Sequence, residues 1–122
     1  MANLYKILSQ EDWLRLLRDG RLLGAGIDLR DGYVHLSSGA QVRETLRLHY
    51  AGRSELRLVV LDEDALDANA LRWEPSRGGA LFPHLYGPLP LAAMRGAWTV
   101  DVSAGGAVAL PRDLEEGPMP SA

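Results

Sequence analysis

The sequence contains no cysteine. Disulfides, thiolate zinc sites, iron–sulfur clusters and cysteine nucleophiles are excluded together. Phenylalanine occurs once, and lysine once, at Lys6, beside twelve arginines. Positive charge is not in excess either. Thirteen basic and sixteen acidic residues leave a net charge of −3, a poor balance for non-specific nucleic-acid binding. No apolar run approaches the roughly 20 residues that cross a bilayer. The opening Met1-Ala2-Asn3-Leu4-Tyr5-Lys6 lacks the basic region and apolar stretch of a secretory signal, so a cytoplasmic location is expected, with no membrane partner. There is no Walker A motif, no G-x-G-x-x-G after a strand and no G-x-S-x-G elbow. The three histidines, His35, His49 and His84, stand singly without ligand spacing, and no metal is expected.

What is present is a globular composition. With 122 residues, 47% hydrophobic and 24% charged, the chain suits one domain with its own core. That domain is expected over residues 1–110. The remainder, PRDLEEGPMPSA from Pro111 to Ala122, carries three prolines and reads as a flexible tail.

The hydrophobic pattern places the elements. Leu4–Leu8 is β-like. Ser9 is a helix cap, followed by Glu11 and Asp12 in the first turn, a Trp13/Leu16/Leu17 stripe and Gly20 as the stop. A loop is expected from about Gly24 to Gly32. Tyr33–Ser37 alternates as a strand, with Val34 and Leu36 on one face and Tyr33, His35 and Ser37 on the other. Ser38 and Gln41 resemble a capping box for a helix striped by Val42, Leu46, His49 and Tyr50, on which His49 reads as a packed histidine. Leu56–Leu61 is apolar on both faces apart from Arg57, as a central strand is. Residues 62–70 form a polar connection with room for one helical turn. Leu71–Glu74 is a strand closed by Pro75, and residues 76–80 a flexible loop. Phe82–Pro88 is a short, rigid aromatic segment, and 97–102 and 107–110 are final strands around Gly105-Gly106. Two early helices and late strands predict an α+β fold with a mostly antiparallel sheet.

Two constellations carry chemistry. On the strand at 33–37, His35 and Ser37 project together beside Tyr33 and end at a capped helix, where a ligand hydroxyl or phosphate would meet free N–H groups. An ordinary solvated strand face is the equal alternative. In Trp73-Glu74 and Phe82-Pro83-His84-Leu85-Tyr86-Gly87-Pro88, aromatic and imidazole groups are dense, and Gly78-Gly79 would let a loop close over a ligand. Glu74 is the natural general base or hydroxyl acceptor. Trp73 reads as a core residue, and Phe82 and Tyr86 either pack inward or stack on a ligand ring. Arg30 fits a phosphate or, by preference, a surface ion pair. Lys6 is conspicuous as the one lysine on a strand. The site predicted from these residues has His35, Glu74 and His84 as catalytic groups. Its ligand-binding groups are Lys6, Arg30, Tyr33, Ser37, Gln41, Trp73, Phe82 and Tyr86. A small-molecule ligand is expected, and no nucleic acid.

Tyr5-Lys6-Ile7, Trp13, Gly20, Asp31-Gly32-Tyr33-Val34-His35-Leu36-Ser37, Gln41, Trp73-Glu74 and Phe82-Pro83-His84-Leu85-Tyr86-Gly87-Pro88-Leu89 together resemble the domain-of-unknown-function family nine-five-two, a family of small bacterial and fungal proteins. The resemblance spans about Leu4 to Val100. It implies an ADP-ribosyltransferase-like fold, a split, mostly antiparallel sheet with two N-terminal helices and a cleft between its halves. Val34-His35-Leu36-Ser37 is also similar to a strand of the RNA 2′-phosphotransferases, which use NAD. By that analogy His35 and Ser37 line a nucleotide cleft, Tyr5-Lys6 lies on its first strand, and NAD is a substrate rather than a resident cofactor. The first-strand His or Arg and the second phosphate-binding Arg of those enzymes have no secure counterparts in this sequence. Three functions follow: an NAD- or ADP-ribose-processing enzyme, a non-catalytic nucleotide- or small-ligand-binding module, and a protein-interaction module using Phe82–Pro88.

Overall fold

A computed structural model describes residues 3–76 and 78–110; the tail expected at 111–122 lies outside them. The central sheet has the order β4-β1-β5-β9, made of Ser37–Ser38 (β4), Asn3–Leu8 (β1), Leu56–Asp62 (β5) and Met94–Val100 (β9). Every pairing in it is antiparallel. β5 is the inner strand read from its two apolar faces, and Leu58, Val59, Val60 and Leu61 are wholly buried, each worth about 1.5–3 kcal/mol of burial. Alternation sends the two sides of β1 into different cores. Leu4 and Leu8 join Leu16, Val34, Leu36, Val59, Leu61 and Leu85; Tyr5 and Ile7 join Val42, Leu46, Leu58, Val60 and Val100.

A second sheet has the order β3-β7-β6, from Val34–His35 (β3), Ala80–Leu85 (β7) and Leu71–Ser76 (β6), and Arg21–Leu22 (β2) pairs separately with Leu89–Pro90 (β8). The strand expected at 33–37 is therefore divided between two sheets, and Pro83 accounts for the division. Leu36 N–H donates to the Pro83 carbonyl (3.0 Å), but proline has no N–H with which to complete the pair. The ladder ends there, and Ser37–Ser38 cross to pair with Tyr5 and Leu4. Because β4 spans only those two residues, the edge of β1 beyond Tyr5 has no strand beside it among the described residues. The gap between the sheets opens at that edge.

Gln10–Asp19 (α1) forms as its signals require: the Ser9 hydroxyl accepts the Asp12 N–H (3.2 Å), and Gly20 ends the helix at φ 75°, a left-handed conformation suited to glycine. Leu16 is buried while Leu17 is exposed, so the stripe is narrower than expected. The loop expected at 24–32 contains a further helix, Ile27–Asp31 (α2), making three α-helices, not two, among the described residues, all before residue 50. Val42–His49 (α3) starts four residues after Ser38. The Gln41 side chain does accept the Ser38 N–H (3.1 Å), but the reciprocal bond is missing because the chain turns once more before the helix begins. His49, expected to pack, is exposed.

Where a loop is expected at 76–80, Ser76 pairs with Ala80 at the ends of β6 and β7, and Pro75 lies inside β6 opposite Leu81. Most of the expected aromatic segment at 82–88 is the middle strand of its sheet, so Phe82, Pro83, His84 and Leu85 are buried and offer no exposed docking patch. Trp73, expected in the core, is 42% exposed, since its face of β6 reaches beyond the core cluster toward the hairpin tip. The polar connection holds one 3-10 turn at Glu63–Ala65, and Val102 and Val108 form a single bridge around Gly106. No helix among the described residues is long and apolar enough to cross a membrane.

Candidate functional site

The division of the sheet creates a cavity of about 570 Å³, within the range of small-molecule sites. Its walls come from the free edge of β1, the first turn of α1, α2, the crossing segment 33–37, the far end of α3 and Ser76. Of the predicted residues, Lys6, Tyr33, His35 and Ser37 line it.

Asp28 organises this wall. It is 2% exposed and Lys6 is 4% exposed. One carboxylate oxygen, Oδ1, lies 2.6 Å from His35 Nδ1 and accepts the His35 backbone N–H (3.0 Å). The other, Oδ2, accepts from Lys6 Nζ (2.7 Å) and the Ala25 N–H (2.9 Å). Lys6 also donates to the His35 carbonyl (3.1 Å). Burial pushes the Asp28 carboxyl up, but the bonds from His35 and the charge of Lys6 outweigh it and hold the pKa at about 2. Burial pulls the Lys6 ammonium below its usual range against the opposing pull of Asp28. The Lys6 ammonium thus spends its donors on the Asp28 carboxylate and the His35 carbonyl in this enclosed place.

His35 Nε2 lies 3.1 Å from Asp31 Oδ2, and Asp31 Oδ1 is held from outside by the exposed Arg30 (3.0 Å). Arg30 is thus an outer brace, away from the cavity wall. Below them, Thr45 donates to the Gln41 carbonyl (3.1 Å), which leaves the Ser37 hydroxyl as donor to Thr45 Oγ1 (3.1 Å). Gln41 itself donates to the Leu81 carbonyl (2.7 Å) and ties the start of α3 to the β6–β7 hairpin.

The second predicted constellation adjoins the first through Tyr33. Its ring stacks on His84 (centroids 4.1 Å apart) and leans on His35 (4.6 Å) and Tyr86 (5.1 Å). His84 Nδ1 lies 2.8 Å from Glu74 Oε1, and the Tyr86 hydroxyl donates to the same oxygen (2.7 Å). These two bonds, Tyr86's first, hold the Glu74 carboxyl below its ordinary value, and the bond to Glu74 raises the Tyr86 phenol. Arg72 lies over the Tyr86 ring at 5.3 Å. His35 and His84 are directly paired across β3 and β7, with ring centroids 5.5 Å apart, so the three groups read as catalytic do converge.

Glu74, His84 and Tyr86 nevertheless form a layer beside the cavity and not its wall. Phe82 is core, and Trp73 and Gln41 are off the wall. Sequence reasoning missed Asp28, Asp31 and Ser76, as well as Arg53, which comes from the loop after α3 and lies over the Tyr50 ring at 5.3 Å. One signal pointed to Asp28: a lone lysine within an apolar strand needs a buried acid.

Two determinations of protein CC0527 from Caulobacter crescentus are similar to this chain. The X-ray structure is 39% identical over 88% of this chain and 93% of that one, with a TM-score of 0.81. The solution NMR structure is 40% identical over 87% and 90%, with a TM-score of 0.75. No curated protein matches the sequence. Residues 7–97, which run from the end of β1 into β9 and hold every predicted site residue except Lys6, match one family model, and the chain belongs to that family, described as Protein of unknown function (DUF952).

Proposed function

We propose that this is an ADP-ribosyltransferase-like nucleotide protein that binds and processes NAD or ADP-ribose in the cavity between its sheets. The observation that carries the reading is the anchored His35, fixed by Asp28 on the wall of a cavity large enough for a nucleotide. His35 holds a ribose hydroxyl, and the Tyr33 ring supplies an apolar face beside it. In NAD the bond from the ribose anomeric carbon to the nicotinamide nitrogen breaks, its electron pair leaving with the nicotinamide, through an oxocarbenium-like state. An acceptor hydroxyl then attacks the anomeric carbon and releases its proton to solvent water. Glu74 acts through His84 and Tyr86 on the placement of Tyr33.

A specific observation favours a second reading, a module that binds without chemistry. The Glu74 carboxylate lies outside the cavity wall, with one oxygen engaged by two donors, and the charge of Lys6 is matched by Asp28. The two readings part on turnover.

The test is the thermal midpoint with millimolar NAD or ADP-ribose. A ligand at 100 times its Kd adds about 2.7 kcal/mol, which raises the midpoint of a domain this size by about 10 °C. The rise is expected in the wild type and absent in His35→Ala. No rise with either ligand sinks both readings. Where the rise is seen, nicotinamide release that Glu74→Gln reduces supports the enzyme, and a rise without release supports the module.

A further inference from the structure

The acids on the cavity wall are already matched. Asp12 accepts from Arg15 at Oδ1 (3.2 Å) and from the Ser9 hydroxyl at Oδ2 (3.1 Å). Asp28 is closed by Lys6, His35 and the Ala25 N–H, and Asp31 divides its oxygens between Arg30 and His35. None of the three awaits a cation. The bases on the same wall are not so balanced. Lys6 is spent on Asp28, but Arg53 has no carboxylate partner among the described residues. The wall thus carries a guanidinium charge that the rest of the described chain leaves unmatched.

The place of Arg53 follows from α3. Thr45 and His49 lie on one face of that helix, a turn or about 6 Å apart, and Arg53 continues the same four-residue spacing past its end. All three line the cavity. The Arg53 backbone is pinned on both sides: its N–H donates to the Tyr50 carbonyl (3.0 Å), and its carbonyl accepts the Val102 N–H (2.8 Å). Two residues on, Glu55 is held at φ 57°, a left-handed conformation unfavourable for a residue with a side chain, and its N–H donates to Asp101 (2.7 Å). The guanidinium itself lies over the Tyr50 ring at 5.3 Å. The ring face supports the cation and leaves its N–H edge for a ligand.

The chemistry of that ligand follows from charge and shape. A guanidinium edge matches a planar carboxylate with two parallel bonds. A phosphate monoester carries close to two negative charges, whereas this wall offers one unmatched positive charge, beside the C-terminal end of α3, where the helix dipole disfavours anions. Ile7, Ile27 and Tyr50 add apolar surface to the same cavity, and Ile27 is 52% exposed there, an aliphatic side chain left to solvent. We infer that Arg53 is the anchor for a carboxylate, and that the cavity takes a small monocarboxylic acid whose apolar body packs on these side chains. Neither His35 nor Glu74 takes part, so the carboxylate anchor does not depend on the cavity being a nucleotide site.

The experiment follows the backbone amides of residues 49–53 by nuclear magnetic resonance in wild type, Arg53→Lys and Arg53→Gln, together with the Arg53 Nε–H signal in the wild type. Each protein is titrated at fixed ionic strength with 3-phenylpropionate, its neutral amide 3-phenylpropionamide, and 2-phenylethyl phosphate. In the wild type the acid is expected to move the Arg53 Nε–H signal, with the amide at least tenfold weaker and the phosphate no tighter than the acid. Arg53→Gln is expected to weaken the acid at least tenfold, to the level of the amide, and to leave the amide unchanged. Arg53→Lys keeps the charge without the two-pronged edge and restores part of the preference; that recovery separates recognition from a merely structural role. Arg53 is exposed, and the full amide spectrum of each variant verifies that it is folded.

Three outcomes overturn the assignment. If acid and amide bind alike, or if Arg53→Gln keeps the preference for the acid, Arg53 is not the anchor. If the phosphate binds at least tenfold tighter than the acid, the charge match is wrong and the subsite belongs to a phosphoryl group. If none of the three compounds moves Arg53 at millimolar concentration, it is an ordinary solvated arginine. The thermal midpoint with ADP-ribose reads the nucleotide site separately, and neither result decides the other.

Discussion

Asp28 is a single residue with four donors, and that count decides how it behaves under mutation. A buried ion pair is often replaceable by apolar side chains at no cost, because desolvation offsets the attraction. Lys6–Asp28 differs, since two backbone N–H groups, of Ala25 and His35, also end on the carboxylate. Lys6→Met is expected to cost about 3–5 kcal/mol by leaving an unpaired buried charge. Adding Asp28→Leu should recover little of this, because the two N–H groups are then orphaned at roughly 1–3 kcal/mol each. Urea unfolding of the single and double variants measures it. A double variant as stable as the wild type would reduce the cluster to an ordinary ion pair.

At the scale of elements, periodicity and caps carried most of the information. β1, α1 and β5 follow from alternation, the Ser9 cap and an apolar run, all of which act within a few residues. The division at Leu36 was not legible in the same way. It depends on Pro83, 47 positions along the chain, which occupies the one partner place where a missing N–H ends the ladder. α2 was also hidden, since its five residues are held by tertiary bonds to Asp28 and not by their own pattern. Of the site, His35 and Ser37 were visible as one face of a strand, and Glu74, His84 and Tyr86 by their density. Asp28 and Asp31 looked like the polar ends of a loop. A testable element-level case is Gly106, at φ 89°, whose added Cβ would come within 2.6 Å of Arg47 Cγ and 3.4 Å of the Arg47 carbonyl on α3. Left-handed strain and this contact together should make Gly106→Ala cost about 1–3 kcal/mol in chemical denaturation. An unchanged midpoint would mean that this loop moves off α3 freely.

Across the whole molecule, the Asp28 cluster is the joint between the two sheets: Lys6 belongs to β1, Asp28 to α2 and His35 to β3. Its ionisation therefore bears on stability at a place where Lys6, Asp28 and His35 also line the cavity. The folded carboxyl lies near 2, below the ordinary 3.8. A depressed carboxyl contributes stability that is fully present above the unfolded value and lost as pH falls through the folded one. Here the window runs from about pH 4 down to pH 2, and the contribution is about 2 kcal/mol. Other carboxylates with lowered values, Asp19, Asp31, Glu44 and Glu74, belong to exposed or half-exposed ion pairs and bonds that solvent screens. The stability difference between wild type and Asp28→Asn, from urea unfolding at pH 5 and pH 2, should then shrink by about 2 kcal/mol as pH falls. In the same window the His35 ring loses its fixed partner, so any ligand held by His35 should weaken before the global transition. Equal acid sensitivity in the two proteins would place the pH dependence elsewhere and separate the joint between the sheets from the charge that now holds it.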